Sequence, residues 1–547
     1  MTNLFARAAS GIAGWLLLAG FALLAFLSGL STLPVTDRDE ARFVQASRQM
    51  VQSGDPIDIR FQDQARHAKP VGIYWLQSAA VLGSGFGEQA PLWVYRLPSL
   101  AGAVLSVLLV AAVGLPLFGR TPALLAAAVF AGGLVIAGEA RIAKTDAVLL
   151  ATVLAAQAVL ARVYMGQAVG RAGAYGFWLA IAAGLLIKGP IGPIVPALTV
   201  VALGLADRRL GWLRPILSPG PILLALALVL PWVVAISLRT GGAFWAGSVG
   251  ADLLPKIAAG QEGKGAPPGT YLALVWLTAW PVGPLLLLAL PAVWHARGSA
   301  PVRFCLAWAV PLWLLYEAVP TKLIHYPLPA FPALALLAVA HLPAYPALVP
   351  RGILAVAGLA VLPGLLLGMA VLAHALDTGQ DPAALHAAPG LASGMLLAGL
   401  AIRAFALGQG PASVAICAAL AGAGLHSGLV TAAARMPALW PSEAALARVR
   451  DLAPADICPR PQLTGWGYTE PSLVWLGGRE TRLLPATAAE AEAIRPGPCA
   501  FVMKARQEAA NLPEPASGCR PAGSVTGLAI GAGRRVTLDI LDCCPQP

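Results

Sequence analysis

Two adjacent carboxylates, Asp39 and Glu40, head the stretch DEARFVQASRQM just after the first apolar run of the chain. A carboxylate so placed can take a proton from an acceptor as a general base, or an Asp at the head of a helix can serve as its N-cap. Asp37 reads as a cap or turn residue. Further along, short polar breaks in apolar sequence carry Glu139, Arg141, Lys144 and Asp146 (EARIAKTDA), then Lys188 (LIKGPIGP), then Lys322, His325 and Tyr326 (PTKLIHYPLP). The 239–269 segment adds Arg239, Lys256, Glu262 and Lys264, and HAKPVGIYWLQ sets Lys69 before Pro70 and the aromatic pair Tyr74 and Trp75. Several cations beside carboxylates suit a bound phosphate with an acid–base step next to it. The plainer reading of each cation is a snorkelling side chain at a helix end.

What must position these groups is a membrane. Of 547 residues, 58% are hydrophobic and 12% charged, against about 25% charged in an ordinary soluble domain. That excludes a soluble globular enzyme, and it excludes intrinsic disorder. The apolar runs are too long for barrel strands, so the expected fold is an α-helical polytopic membrane protein of about thirteen transmembrane helices. These are an N-terminal signal anchor and runs near 97–118, 121–138, 146–165, 173–187, 190–206, 217–237, 270–294, 302–319, 325–344, 351–372, 389–408 and 411–432. With the N-terminus cytoplasmic, the inner loops hold Arg7, Arg120, Arg171, Arg208, Arg209, Arg214, Arg297, Arg303, Arg351 and Arg403, the positive-inside pattern. The net charge of +11 then reflects topology rather than nucleic acid, for which no motif is present.

The outer side receives residues 31–96, the 239–269 loop and everything after about 433. In the first outer loop Phe43, Val44, Ser47, Met50 and Val51 recur at helical spacing, which predicts an amphipathic helix along the membrane surface. The chain divides into a membrane domain, 1–434, and an outer C-terminal domain, 435–547. Charged residues number 23 in the last 113 against 40 in the first 434. Strand-like pieces (SLVWL, AFVMKA, RRVTLDILD) predict a small soluble α/β domain there. Cys458, Cys499, Cys519, Cys543 and Cys544 all fall in this part, which suits an oxidising compartment; they allow at most two bridges, and their spacing does not pair them. Cys305 and Cys417 lie in apolar runs and read as packing residues.

The series DEARF…SRQM…SGD, KPVGIYWLQ, RIAKTDAVLL, KGPIG and KLIHYPLPAFPALALL, in that order over roughly residues 10–345, resembles the C-type (GT-C) glycosyltransferases that use polyprenyl-phosphate sugars. Within them it is most similar to the ArnT-like lipid A aminoarabinose transferases and the protein mannosyltransferases. The resemblance implies an inverting transfer of a sugar from a polyprenyl monophosphate to an acceptor, at the periplasmic face of a bacterial inner membrane. It implies Asp39 as the base, with Glu40 and Asp146 at the same centre. Lys69, Arg141, Lys144, Lys264, Lys322, His325 and Tyr326 are then expected on the donor phosphate, and Arg42, Tyr74, Trp75 and Lys188 along the substrate. The acceptor is an envelope lipid such as lipid A, a glycan or a protein, and the chain is expected to act as a monomer among membrane lipids.

Two positions depart from the pattern. Aminoarabinose transferases carry a Glu where this chain has Ala68, and many relatives a His where it has Lys264 (KGAPPGTY). Those positions resemble metal ligands, and a protonated Lys cannot replace an imidazole there, so a divalent metal is not expected. The reading from another class is a lipid-linked sugar transporter or flippase. Such proteins show internal repeats and ionisable groups at mid-membrane, whereas here the charges gather at one face.

Overall fold

The computed structural model describes residues 11–258, 265–377, 381–454, 456, 458–508, 518–531 and 533–544. The chain opens with α1 (Gly11–Leu27), the amphipathic α2 (Asp39–Ser53), a hairpin β1–β2 (Arg60–Phe61, Gln64–Ala65), α3 (Gly72–Ser84) and α4 (Leu92–Phe118). It continues through α5 (Arg120–Ala131), α6 (Leu134–Glu139), α7 (Asp146–Tyr164), α8 (Gly170–Lys188), α9 (Ile191–Asp207) and α10 (Pro219–Thr240). Then follow α11 (Thr270–Thr278), α12 (Val282–His295), α13 (Ala300–Ala318), α14 (Phe331–Ala340), α15 (Arg351–Asp377), α16 (Asp381–Ala406) and α17 (Pro411–Ala433).

This is a polytopic helical membrane protein. Among the described residues seven helices are long and apolar enough to cross a bilayer, or eight if the bent pair α11–α12 is one span. Four shorter apolar helices (α1, α5, α9 and Leu328–Ala340) fall below that length. Two of the expected continuous runs are broken. The 121–138 run divides into α5 and α6 at Gly132–Gly133, a pair that weakens any helix. The 270–294 run bends by 111° between α11 and α12, where Pro281 removes a backbone donor.

Helices α4 and α7 are the inner pillars, with 56% and 61% of their apolar windows buried, against 22% for α10, α15 and α16 at the lipid-facing rim. The site residues stand at one end of those pillars. Helix α16 packs along α17, where a Cβ on Gly428 would meet the Leu391 backbone N at 2.7 Å; small residues let membrane helices approach this closely.

The C-terminal part carries α18 (Pro441–Leu452), β3 (Gln462–Trp466), α19 (Ser472–Gly477), β4 (Arg482–Leu484), α20 (Ala488–Ala493), β5 (Ala500–Ala505), β6 (Arg520–Ala529) and β7 (Arg534–Asp542). The strands form one sheet in the order β4-β3-β5-β7-β6. Strand β3 runs parallel to β4 and β5, while β7 is antiparallel to β5 and β6. AFVMKA and RRVTLDILD are the strands expected. SLVWL is not: it is α19, with Leu473, Val474 and Trp475 buried, and a five-residue apolar run carries too little periodicity to tell the two apart. Disulfides join Cys458 to Cys499 and Cys519 to Cys543, leaving Cys544 as a thiol, like Cys305 and Cys417.

Candidate active site

The site is assembled from the start of α2. Its residues Phe43, Val44, Ser47 and Met50 are buried, as their spacing predicts, and this fixes the helix on the protein. Val51, the fifth of that set, is only half-buried. Glu40 locks the helix in place. It is fully buried, as is Arg96 of α4, and the two meet through Nε–Oε1 at 2.8 Å and Nη2–Oε2 at 3.0 Å. The same carboxylate accepts from the Thr36 and Ala143 backbone N–H groups, each at 2.8 Å, and from the Thr36 hydroxyl at 3.0 Å. Expected at the reaction centre, Glu40 is instead a strut between the outer helix and the turn that carries Lys144.

Asp39, one residue earlier, is solvent-exposed. It is the first residue of α2, yet it forms no side-chain cap. Among the described residues its carboxylate has no hydrogen-bond or ion-pair partner. Desolvation by the surrounding protein opposes its ionisation, but the charges of Lys144 and Arg66 outweigh this and hold its pKa below the usual 3.8. An ionised, accessible, unpartnered carboxylate has all its lone pairs available to accept a proton.

Facing it is a compact charge cluster. Lys144 Nζ lies 2.9 Å from Glu139 Oε1, 3.7 Å from Asp146 Oδ2 and 3.3 Å from His325 Nδ1. Lys188 Nζ contacts Asp146 Oδ1 at 2.6 Å, and His325 Nε2 lies 3.6 Å from that oxygen. His325 Nδ1 faces the Lys144 donor, so the ring accepts there and carries its proton on Nε2, toward Asp146. Tyr326 stacks beside His325 and Tyr316, with centroids 5.3 and 5.4 Å away, and Lys188 stands 6.0 Å above its ring. The structure therefore brings Lys144, Asp146, Lys188, His325 and Tyr326 together.

A second group lies alongside. Arg66 donates to the Tyr74 hydroxyl at 3.2 Å and lies 5.1 Å over the Phe43 ring. Tyr74 is fully buried, so it anchors Arg66 and does not line an open surface. Trp75, on the other side of α3, is exposed and donates to Pro56 O at 2.7 Å, pinning the outer loop. Lys69 pairs with Asp252, which also receives Lys256 at 2.6 Å. Arg42 adds its charge beside Asp37 and Glu470, at the contact with the C-terminal domain.

Two cations expected on a phosphate are already committed elsewhere. Arg141 is fully buried and donates to Ala25 O, Ser28 O and Ala137 O, each at 2.6 Å, and to Ser28 Oγ at 2.8 Å. It satisfies carbonyls at the end of α1, which have no partner within their own helix. Lys322 donates to Tyr316 O at 2.9 Å, to Glu317 O at 2.8 Å and to Val319 O. An ammonium has three donors, and these cap the C-terminus of α13. Lys264 and Glu262 lie outside the described residues. The segment beyond them pairs Gly265 with Thr321 and Ala266 N with Pro320 O at 3.2 Å.

Five cations (Arg66, Lys69, Lys144, Lys188, Lys256) and four carboxylates (Asp39, Glu139, Asp146, Asp252) thus share this face. With Asp39 counted, cations outnumber carboxylates by one in this described set.

The sequence of residues 68–234 matches the family described as dolichyl-phosphate-mannose-protein mannosyltransferase. The chain is 30% identical over 341 residues to the undecaprenyl phosphate-alpha-4-amino-4-deoxy-L-arabinose arabinosyl transferase of Pectobacterium carotovorum, covering 59% of each protein. It is 32% identical over 336 residues to the enzyme of that name from Pseudomonas aeruginosa, covering 59% of this chain and 58% of that one. Its fold superposes on ArnT from Cupriavidus metallidurans bound to undecaprenyl phosphate with a TM-score of 0.73, at 19% identity, over 97% of this chain and 98% of that one. The chain is thus similar in sequence to these transferases over about three fifths of its length, and it has the ArnT fold over nearly all of it. The sequence matches span about three fifths of the relatives' length.

Of the two positions that resemble metal ligands, Ala68 offers no side-chain donor atom and Lys264 lies outside the described residues; no group of three His, Cys, Asp or Glu among the described residues could hold a metal ion. Sequence reasoning missed Arg66, Arg96 and Asp252. Arg66 was legible as a cation three residues before Lys69 in the same loop, and Asp252 as an acid four residues before Lys256, the spacing that pairs charges on a helix. Nothing in the sequence around Arg96 separates it from the snorkelling arginines.

Proposed function

We propose that this protein transfers a sugar from an undecaprenyl-phosphate carrier to a hydroxyl acceptor at the outer face of a bacterial inner membrane. Aminoarabinose is the proposed sugar and lipid A the proposed acceptor. The observation that carries this reading is Asp39, an ionised and unpartnered carboxylate facing a cluster in which five cations stand against three other carboxylates. In the reaction Asp39 takes the proton of the acceptor hydroxyl, and that oxygen attacks the anomeric carbon. The bond from this carbon to the phosphate oxygen breaks, its electron pair leaves with the phosphate, and the configuration inverts. Lys144, Lys188 and Lys69 stabilise the charge growing on the departing phosphate, and Asp146 with His325 holds Lys144 and Lys188 in place.

In this reading thirteen segments cross the membrane: α1, α4, α5 with α6, α7, α8, α9, α10, the bent pair α11–α12, α13, α14, α15, α16 and α17. The N-terminus is cytoplasmic, and residues 435–547 form the periplasmic domain. Support comes from the arginines of the alternate loops and from the two disulfides of the C-terminal part.

Mass spectrometry of envelope lipids and glycans from strains with and without the gene tests the assignment. The expected result is loss of one sugar mass from lipid A species; unchanged lipid A together with unchanged glycans would overturn it. Lys69 supplies a second check. Burial pushes its ammonium down to about 8, against the pull of Asp252. The protonated form binds phosphate, so kcat/KM for the donor should fall about tenfold per pH unit above that value. Lys69→Arg stays protonated throughout and should lose this alkaline limb. A wild-type profile that is flat through pH 8 would remove Lys69 from donor binding.

A further inference from the structure

Asp39 follows directly on a backbone conformation that side-chain-bearing residues seldom adopt. Arg38 has φ 64° and ψ −89°, a strained geometry that persists only where its surroundings hold it. The C-terminal domain supplies those surroundings at three points. The Ser472 N–H donates to Asp37 Oδ1 at 3.3 Å. Glu470 Oε2 lies 3.8 Å from Arg38 Nε. The stem of Arg38 runs against Gly531, where an added Cβ would come within 2.9 Å of Arg38 Cγ. Further along α2 the Arg48 guanidinium lies 3.5 Å over the Trp475 ring and donates to Trp475 O at 3.2 Å. Trp475 in turn shares a buried cluster with Val35, Ala41, Val44 and Tyr95.

We infer that the C-terminal domain is the positioning device for the reactive carboxylate: Glu470, Ser472 and Gly531 hold Asp37 and Arg38 in the strained turn that sets Asp39. The inference rests on the reading of Asp39 as the base and gives these residues no contact with the reacting atoms. It also assigns a role to the part of the chain that the sequence left without one. Ser472 is itself fixed by a 2.6 Å hydrogen bond to Ser442 of α18, which also meets the Tyr468 hydroxyl at 2.8 Å, so the grip is backed by the interior of the domain.

The test uses the full-length protein in lipid nanodiscs, with an undecaprenyl-phosphate sugar and lipid A as substrates. Arg38→Ala removes the side-chain grip yet keeps the awkward φ, and Gly531→Val pushes the Arg38 stem away. Both should lower kcat by tenfold to about a hundredfold, as a misplacement near 1 Å does, with donor KM changed less than about twofold. Arg38→Gly loses the same side chain but takes positive φ freely, so it should recover a large part of the lost kcat. Wild-type kcat in both Arg38→Ala and Gly531→Val would overturn the inference. So would losses confined to KM, or an Arg38→Gly no better than Arg38→Ala. Asp39→Asn, run alongside, separates the two layers: normal turnover there would mean the reading of the base has failed, whereas lost turnover there with wild-type kcat in Arg38→Ala and Gly531→Val would mean only the positioning has failed.

Discussion

Asp39→Asn is expected to lower sugar transfer by about 10²–10⁴-fold, the range of a lost general base, while leaving the unfolding midpoint of the purified protein unchanged. Asparagine keeps the size and shape of the side chain and removes only its basicity. No described residue depends on the Asp39 carboxylate for a hydrogen bond or ion pair, so the fold loses nothing. Because Lys144 and Arg66 hold its pKa below the usual carboxylate value, Asp39 stays ionised through the mildly acidic range. A base works above its pKa, so this residue should cause no loss of kcat/KM as the pH falls from about 7 to 5. Turnover of Asp39→Asn within a few-fold of wild type, measured with a labelled donor, would remove Asp39 from the reaction.

The neighbouring carboxylate should behave in the opposite way. Glu40→Ala leaves the Arg96 guanidinium fully buried without its counter-charge, and breaking a buried pair in this way costs about 3–5 kcal/mol. Arg96 retains only the carbonyls of Leu30, Leu33 and Pro34, and the Ala143 N–H loses its acceptor. The unfolding midpoint in detergent should fall by roughly 5–10 °C, with a matching drop in folded protein recovered from membranes. An unchanged midpoint with lost turnover would instead return Glu40 to the reaction centre. Two carboxylates one residue apart thus separate cleanly by experiment, one failing in chemistry and the other in assembly.

That contrast shows what sequence alone could reach. The helical membrane architecture was legible because apolar runs of bilayer length are a one-dimensional signal. The bend between α11 and α12 was not, since a proline inside an apolar run leaves the hydropathy unchanged. Lys144, Asp146, Lys188 and His325 were legible as a group, because ionisable residues in short breaks on one side of a membrane have few structural reasons to be there. Arg141 and Lys322 share that signal but differ in their contacts. Both satisfy backbone carbonyls at helix ends, and a sequence does not show which carbonyl finishes a helix within reach of which cation. The pairing of Glu40 was not legible for a related reason: its partner Arg96 lies 56 positions away, on a different helix.

The contact between Gly531 and Arg38 joins residues 493 positions apart. At typical translation rates of 5–20 residues per second, that separation corresponds to roughly 25–100 s of synthesis. Until residue 470 is made, by which point the membrane helices up to α17 have already been synthesised, the turn before Asp39 has none of its distal supports. A late-made segment of the chain therefore closes around a much earlier one.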